Sequence, residues 1–151
     1  MEQERPFSFL PHQLLILSRA RLIYLTTVRK GGDQSRPAPV WFTITPDQEI
    51  LIQTAPDTWH ARRIRRGSPV IVSVGGRNGL AFVGCAKFSQ DSKIIDQIVN
   101  DFPRKYLMAW LGLYRPTKAS FLKGTRAAIR ITPIQILPPE FVARPGAPAP
   151  I

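Results

Sequence analysis

Six short segments rich in β-branched and aromatic residues constrain this chain most, because the links between them are mainly turns. The segments are Leu22–Val28, Val40–Thr45, Ile50–Thr54, Val70–Val74, Leu80–Phe88 and Ala127–Thr132. Gly31-Gly32-Asp33 ends the first, Pro46-Asp47 turns the second into the third, and Gly75 to Gly79 joins the fourth to the fifth. Within that last turn, Asn78-Gly79 is a dipeptide favoured by type I′ hairpins, whose central residues need positive φ. Helical patterns fall at 12–19 after Pro11, at 59–66 between the candidate caps Asp57-Thr58 and Gly67, and at 106–113. Another covers 91–101, where Ile94, Ile95, Ile98, Val99 and Phe102 recur at three and four.

Turn-linked strands pair antiparallel, whereas a parallel sheet needs regular strand–helix alternation. Antiparallel strands that leave no free edge form a closed barrel. The expected fold is mainly β, a six-stranded antiparallel barrel with peripheral helices. It occupies 1–137 as one domain, followed by a Pro/Ala-rich tail, 138–151, that is disordered or loosely draped.

The chain has 151 residues, enough for one ordinary core, and no run of about 18 apolar residues that would span a membrane. Met1-Glu2-Gln3-Glu4-Arg5-Pro6 lacks the basic-then-apolar layout of a secretory signal, so a cytoplasmic protein is expected. One cysteine, Cys85, allows neither an internal disulfide nor a cysteine zinc site. It lies in an apolar strand and reads as a core residue. Charge is more telling. Twenty-one Lys plus Arg against ten Asp plus Glu give +11, which calls for an anionic partner.

The segment Thr54–Arg66 is where chemistry can gather. A strand delivers Thr54, a turn follows, and a helix opens at Thr58 with unpaired amides that favour anions. Thr54 and Thr58 offer hydroxyls, and His60 and Arg63 offer cationic donors. The plainer alternative is a capped helix with a solvated arginine face. Trp41 reads either as core or interface, or as a flat wall for a planar ring. His12 and His60 lie far apart in the chain without flanking carboxylates, so no metal site assembles. No nucleophile motif surrounds a serine or Cys85, and the glycines at 75, 76, 79 and 84 spell no dinucleotide fingerprint. A barrel that positions a cofactor is what remains.

Leu25-Thr-Thr-Val-Arg before a glycine loop, Pro39-Val-Trp-Phe42, Ile52-Gln-Thr54, Thr58-Trp-His-Ala-Arg-Arg-Ile, Pro69-Val-Ile-Val72 and Ile129-Arg-Ile-Thr-Pro133 come in an order that carries a resemblance. The chain resembles the pyridoxamine 5′-phosphate oxidase-like split β-barrels of the FMN-binding type, from about Leu14 to Leu137. Within them it is most similar to the flavin- or deazaflavin-dependent (coenzyme F-420) branch. The resemblance implies a homodimer with two cofactor sites at the subunit interface. Val40, Trp41 and Phe42 would meet the tricyclic ring, largely through backbone. Thr54, Thr58 and His60, with Arg63 nearby, would take the phosphate. Two positions depart from the family pattern: Thr58 stands for its serine and keeps the hydroxyl, and His60 stands for its lysine.

The expected activity is an oxidoreductase that passes a hydride between bound FMN or coenzyme F-420 and a small organic substrate. No side chain is assigned as catalytic acid or base. The alternatives are a non-catalytic flavin or haem carrier or sensor of the same fold, and a basic nucleic-acid-binding barrel. The last is disfavoured because the aromatics lie mostly in apolar strand positions. No membrane association is expected.

Overall fold

The computed structural model describes residues 7–74, 79–106 and 116–150. Helix α1 (Pro11–Arg19) opens with Pro11 at its first position, where no amide is needed. Strand β1 (Ile23–Thr27) follows, then β2 (Ala38–Val40), β3 (Thr43–Ile44) and β4 (Ile50–Thr54). Helix α2 (Trp59–Arg65) is capped by Thr58, whose Oγ1 accepts from the Ala61 amide. Strands β5 (Val70–Ser73) and β6 (Ala81–Ser89) precede helix α3 (Ser92–Lys105), capped by Asp91. A short helix α4 (Lys118–Leu122) and the long strand β7 (Ala127–Ile136) complete the order.

All strand pairs are antiparallel, in the order β2-β1-β5-β6-β7-β4-β3. The two edge strands, β2 and β3, are neighbours in sequence, joined by Trp41 and Phe42 alone. Two residues span less than about 10 Å, so the sheet must curl until its edges adjoin. This is the split β-barrel, mainly β with peripheral helices. Seven strands stand where six were expected, because 40–45 does not run as one strand. Its first half pairs with β1 (Ile23 opposite Val40) and its second with β4 (Thr43 opposite Leu51). The chain changes partners at Trp41-Phe42.

Alternation sorts the side chains. Leu25, Phe42, Ile52, Val72, Phe82 and Ile129 point into the curl and form the main core. On the outside, α3 lays Ile94, Ile98 and Phe102 over Leu51 and Ala128, which uses the stripe seen in the sequence. Leu137 and Phe141 cover Ile71, Ala81 and Val83.

Several expectations need revision. Cys85 is exposed, not core: Phe82, Gly84, Ala86 and Phe88 are the inward set of β6, so 85 and Lys87 face out. Strand β7 runs four residues beyond Thr132, passing Pro133 through a register shift opposite Val83 and Gly84. Pro133 has no amide for the ladder, and a bulge is where a strand tolerates that. Gly84 is needed there, since a Cβ on it would stand 2.5 Å from Ile131 Cγ2. Residues 138–150 are neither disordered nor loose: Gln34, 2% exposed, binds them with all four of its polar groups. The expected helix at 106–113 and the turn at Asn78 fall outside the described residues, apart from Tyr106, which caps α3 in an extended conformation.

Candidate functional site

Strand β4 ends at Thr54, and the α2 cap, Thr58, comes four residues later, so the two threonines face each other across a tight turn. Thr54 Oγ1 lies 3.1 Å from Thr58 Oγ1 and 2.9 Å from His60 Nε2. The three form one connected cluster, as the sequence suggested. They serve one another: the Thr58 hydroxyl also caps α2, and Thr54 is 6% exposed. Burial, and then the charge of Arg63, hold the His60 imidazole below its ordinary 6.5. His60 is therefore a neutral hydrogen-bonding group at pH 7 and not a resident cation.

The cations lie one turn further along. Arg63 reaches across to β1, where its Nη1 donates to Thr27 Oγ1 at 3.3 Å. Thr27 Oγ1 in turn lies 3.0 Å from Ser35 Oγ. Around it a cleft of about 270 Å³ is lined by Arg29, Lys30, Trp59, Arg62, Arg63 and Arg66. Trp59 is 69% exposed, with the Arg62 and Arg63 guanidiniums 5.2 and 5.7 Å from its ring centroid. Arg29 pairs with Asp33 at 3.1 Å, but among the described residues Arg62, Arg63 and Arg66 form no ion pair. Desolvation and the like charges of Arg29 and Arg66 lower the Arg63 pKa, which marks a crowded positive site.

Val40 and Trp41 sit elsewhere, at the split of the barrel. With Pro39, Gln53 and Arg126 they line a cavity of about 250 Å³. Gln53 immediately precedes Thr54 on β4, and strand alternation puts their side chains on opposite faces. Gln53 Oε1 is buried without a hydrogen-bond partner, an uncompensated acceptor that costs roughly 1–3 kcal/mol. Phe42 does not join the cavity. It is fully buried, and both its backbone groups are taken: its amide donates to Tyr106 Oη at 3.0 Å, and its carbonyl accepts from Lys105 Nζ and Tyr106 Oη. Trp41 stacks on Tyr106, with centroids 4.4 Å apart and planes within 5°. Burial pushes Lys105 down to about 8 and Tyr106 up to about 12.

Sequence reasoning missed Arg29, Lys30 and Arg66 in the cationic cleft, and Gln53 and Arg126 in the cavity. Arg29-Lys30 ahead of Gly31-Gly32 was a readable signal, a basic pair at a strand end. Lys105 and Tyr106 offered none, since they reach Phe42 from more than sixty residues away. Among the described residues no His, Cys, Asp and Glu group could hold a metal, and no helix is long and apolar enough to cross a membrane.

The fold is thus a split antiparallel barrel with a cationic cleft beside α2 and a separate cavity at its strand split. The chain belongs to the pyridoxamine 5′-phosphate oxidase family, whose model matches residues 10–138. No curated protein sequence matches it. Among solved structures it is similar to a Listeria innocua protein provisionally assigned as a pyridoxamine 5′-phosphate oxidase. There the TM-score is 0.62 and identity 19%, covering 82% of this chain and 92% of that one. A conserved hypothetical protein of Mycobacterium tuberculosis gives a TM-score of 0.62 at 17% identity, over 90% and 88% of the two chains. An F-420 reductase gives 0.58 at 18% identity, over 82% and 94%. Likeness at this identity shows a shared fold.

Proposed function

We propose that this protein binds FMN or coenzyme F-420 and works as an oxidoreductase on a small organic substrate, as a homodimer in the cytoplasm. The observation that carries the reading is the cationic cleft: three arginines without ion pairs gather beside a neutral hydroxyl–imidazole cluster. Arg63 belongs to both, because its charge acts on His60. A phosphate set there would accept from Thr54, Thr58, His60 and Arg63 and relieve the repulsion among the guanidiniums. The ring would lie in the cavity at the strand split, against Trp41 and the backbone of Val40, with Gln53 and Arg126 at its edge.

The residues present fit such a group, and hydride chemistry is what the ring supplies when bound. The chain's own part is to bind and orient. Trp41 is held flat by Tyr106, and Phe42, locked beneath, fixes the strand that carries Val40. At about 250 Å³ the cavity is smaller than the ~300–1,000 Å³ typical of small-molecule sites, which supports a second copy completing it.

Titration of the purified protein with FMN and with coenzyme F-420, followed by absorbance, tests this. The parent should bind one of them. His60→Ala combined with Arg63→Ala should weaken binding at least about tenfold, or 1.4 kcal/mol, while the protein still melts in one cooperative transition. Equal binding by the double variant would refute the phosphate assignment. A second reading rests on Trp59, an exposed aromatic flanked by arginines of the kind single-stranded nucleic acids stack on. Oligonucleotide affinity that falls steeply with salt, together with no cofactor uptake, would favour it.

A further inference from the structure

A cavity of about 450 Å³ lies away from both parts of that site, on the outer face of β1, β5 and β6. Tyr24, Ser73 and Ala81 stand opposite one another on these three strands and form a single cross-strand row. The next row, Thr26, Ile71 and Val83, is sealed from solvent, with Leu137 and Phe141 packed over Ile71 and Val83. The Tyr24 row stays open beneath the strap formed by residues 141–145.

Both ends of that strap are fastened. At one end the Leu137 amide donates to the Ala81 carbonyl at 2.9 Å. At the other, the Gln34 side chain accepts from the Arg144 amide at 3.0 Å and donates to the Pro148 carbonyl at 2.9 Å. Its backbone groups bind Gly146 and Ala147 at 2.8 and 2.7 Å. Between these anchors, Phe141, Val142 and Ala143 wall a space of about 450 Å³, within the range of small-molecule sites.

The lining among the described residues is mainly apolar and holds one charge, Arg36. Among the described residues the Arg36 guanidinium makes no ion pair and no hydrogen bond, and the Tyr24 and Ser73 hydroxyls are also without side-chain partners. No acidic side chain among the described residues lines the space to answer that charge. A guanidinium fork at the rim of an apolar slot matches a carboxylate carried on an apolar body.

We propose that this slot is a binding site for small carboxylic acids with an apolar body. The carboxylate pairs with Arg36 while the body lies on the Tyr24–Ser73–Ala81 row under Phe141. The proposal stands apart from the cofactor reading, since it shares no lining residue with either part of that site.

Decanoate, titrated into the isotope-labelled full chain and followed by NMR, tests it, with decanol as the uncharged comparison. Saturable shifts are expected at the amides of Ser73, Ala81 and Phe141. Binding should weaken at least fivefold for decanol and for Arg36→Gln, an exposed position whose replacement leaves the core intact. Ser73→Phe, which fills the slot, should abolish the shifts. Equal binding of decanol, parent-like binding by Arg36→Gln, or shifts confined to Val40, Trp41 and Gln53 would overturn the proposal. So would sedimentation showing that Ser73→Phe splits a dimer into monomers while decanoate still binds, because the face would then be a subunit interface.

Discussion

The strand split at Trp41-Phe42 and the arginine face of α2 lie on the same small barrel and are built by opposite rules. At the split, the groups of Phe42 are matched, although the nearby Gln53 Oε1 is not. Phe42 is enclosed, its amide and carbonyl are held by Tyr106 and Lys105, and Trp41 is stacked. Beside α2, cations line the cleft, and among the described residues only Arg29 of that set pairs with a carboxylate, Asp33. Satisfied groups fix where the chain changes strand partners. Arg62, Arg63 and Arg66, crowded beside α2, make no ion pair among the described residues, and on the function proposed above an anion would relieve their repulsion. The contrast teaches where stability is stored and where binding free energy is held in reserve.

The largest effect should come from breaking the matched region. Phe42→Ala removes a fully buried ring from the main core and is expected to cost about 3–5 kcal/mol in urea unfolding. A loss below 1 kcal/mol would mean that the split is not a stability centre.

A smaller effect should appear in the pH dependence of the same region. Burial lowers Lys105 from 10.5 to about 8, so between those values the unfolded chain holds a proton that the folded chain has released. Stability should therefore rise as pH climbs from about 8 to 10. Above 10 the slope should reverse, because the folded chain keeps the Tyr106 proton to about 12 while the unfolded chain loses it near 10.0. Lys105→Met should flatten the rise, and chemical denaturation at stepped pH measures it.

The smallest effect sharpens the other side. The free His60 imidazole should titrate below 6.5, so its contribution to stability is present above 6.5 and lost as pH falls through the folded-state value. Inorganic phosphate should shift its NMR titration upward if the cluster accepts an anion. An unmoved titration would leave α2 a solvated basic helix.

How much of this the sequence disclosed follows from how local each feature is. The strands, the α3 stripe and the Thr58 cap are written in near neighbours, and they were legible. The Thr54–Thr58–His60 cluster spans seven residues and was legible too. The division of 40–45 was not, because alternation along Val40 to Ile44 is the same whether one strand pairs twice or two strands pair once. Only the distant partners, Ile23 on one side and Leu51 on the other, decide it. Cys85 was misread for a related reason. Its apolar neighbours suggested burial, but with Gly84 turned inward the odd positions of β6 face out. Proline and alanine in the tail suggested disorder, and nothing local revealed that Gln34 would bind it.

The Gln34 anchor has a consequence for how the molecule is made. Its side-chain partners, at Arg144 and Pro148, lie 110 and 114 residues downstream. A chain emerging from the ribosome can pair β1 with β5 and β6 long before those partners are synthesised. Through that interval the Ile71–Val83 row stands uncovered in water, an adhesive patch that a chaperone or a neighbouring nascent chain can reach. Translation speed through the proline-rich stretch sets how long that exposure lasts.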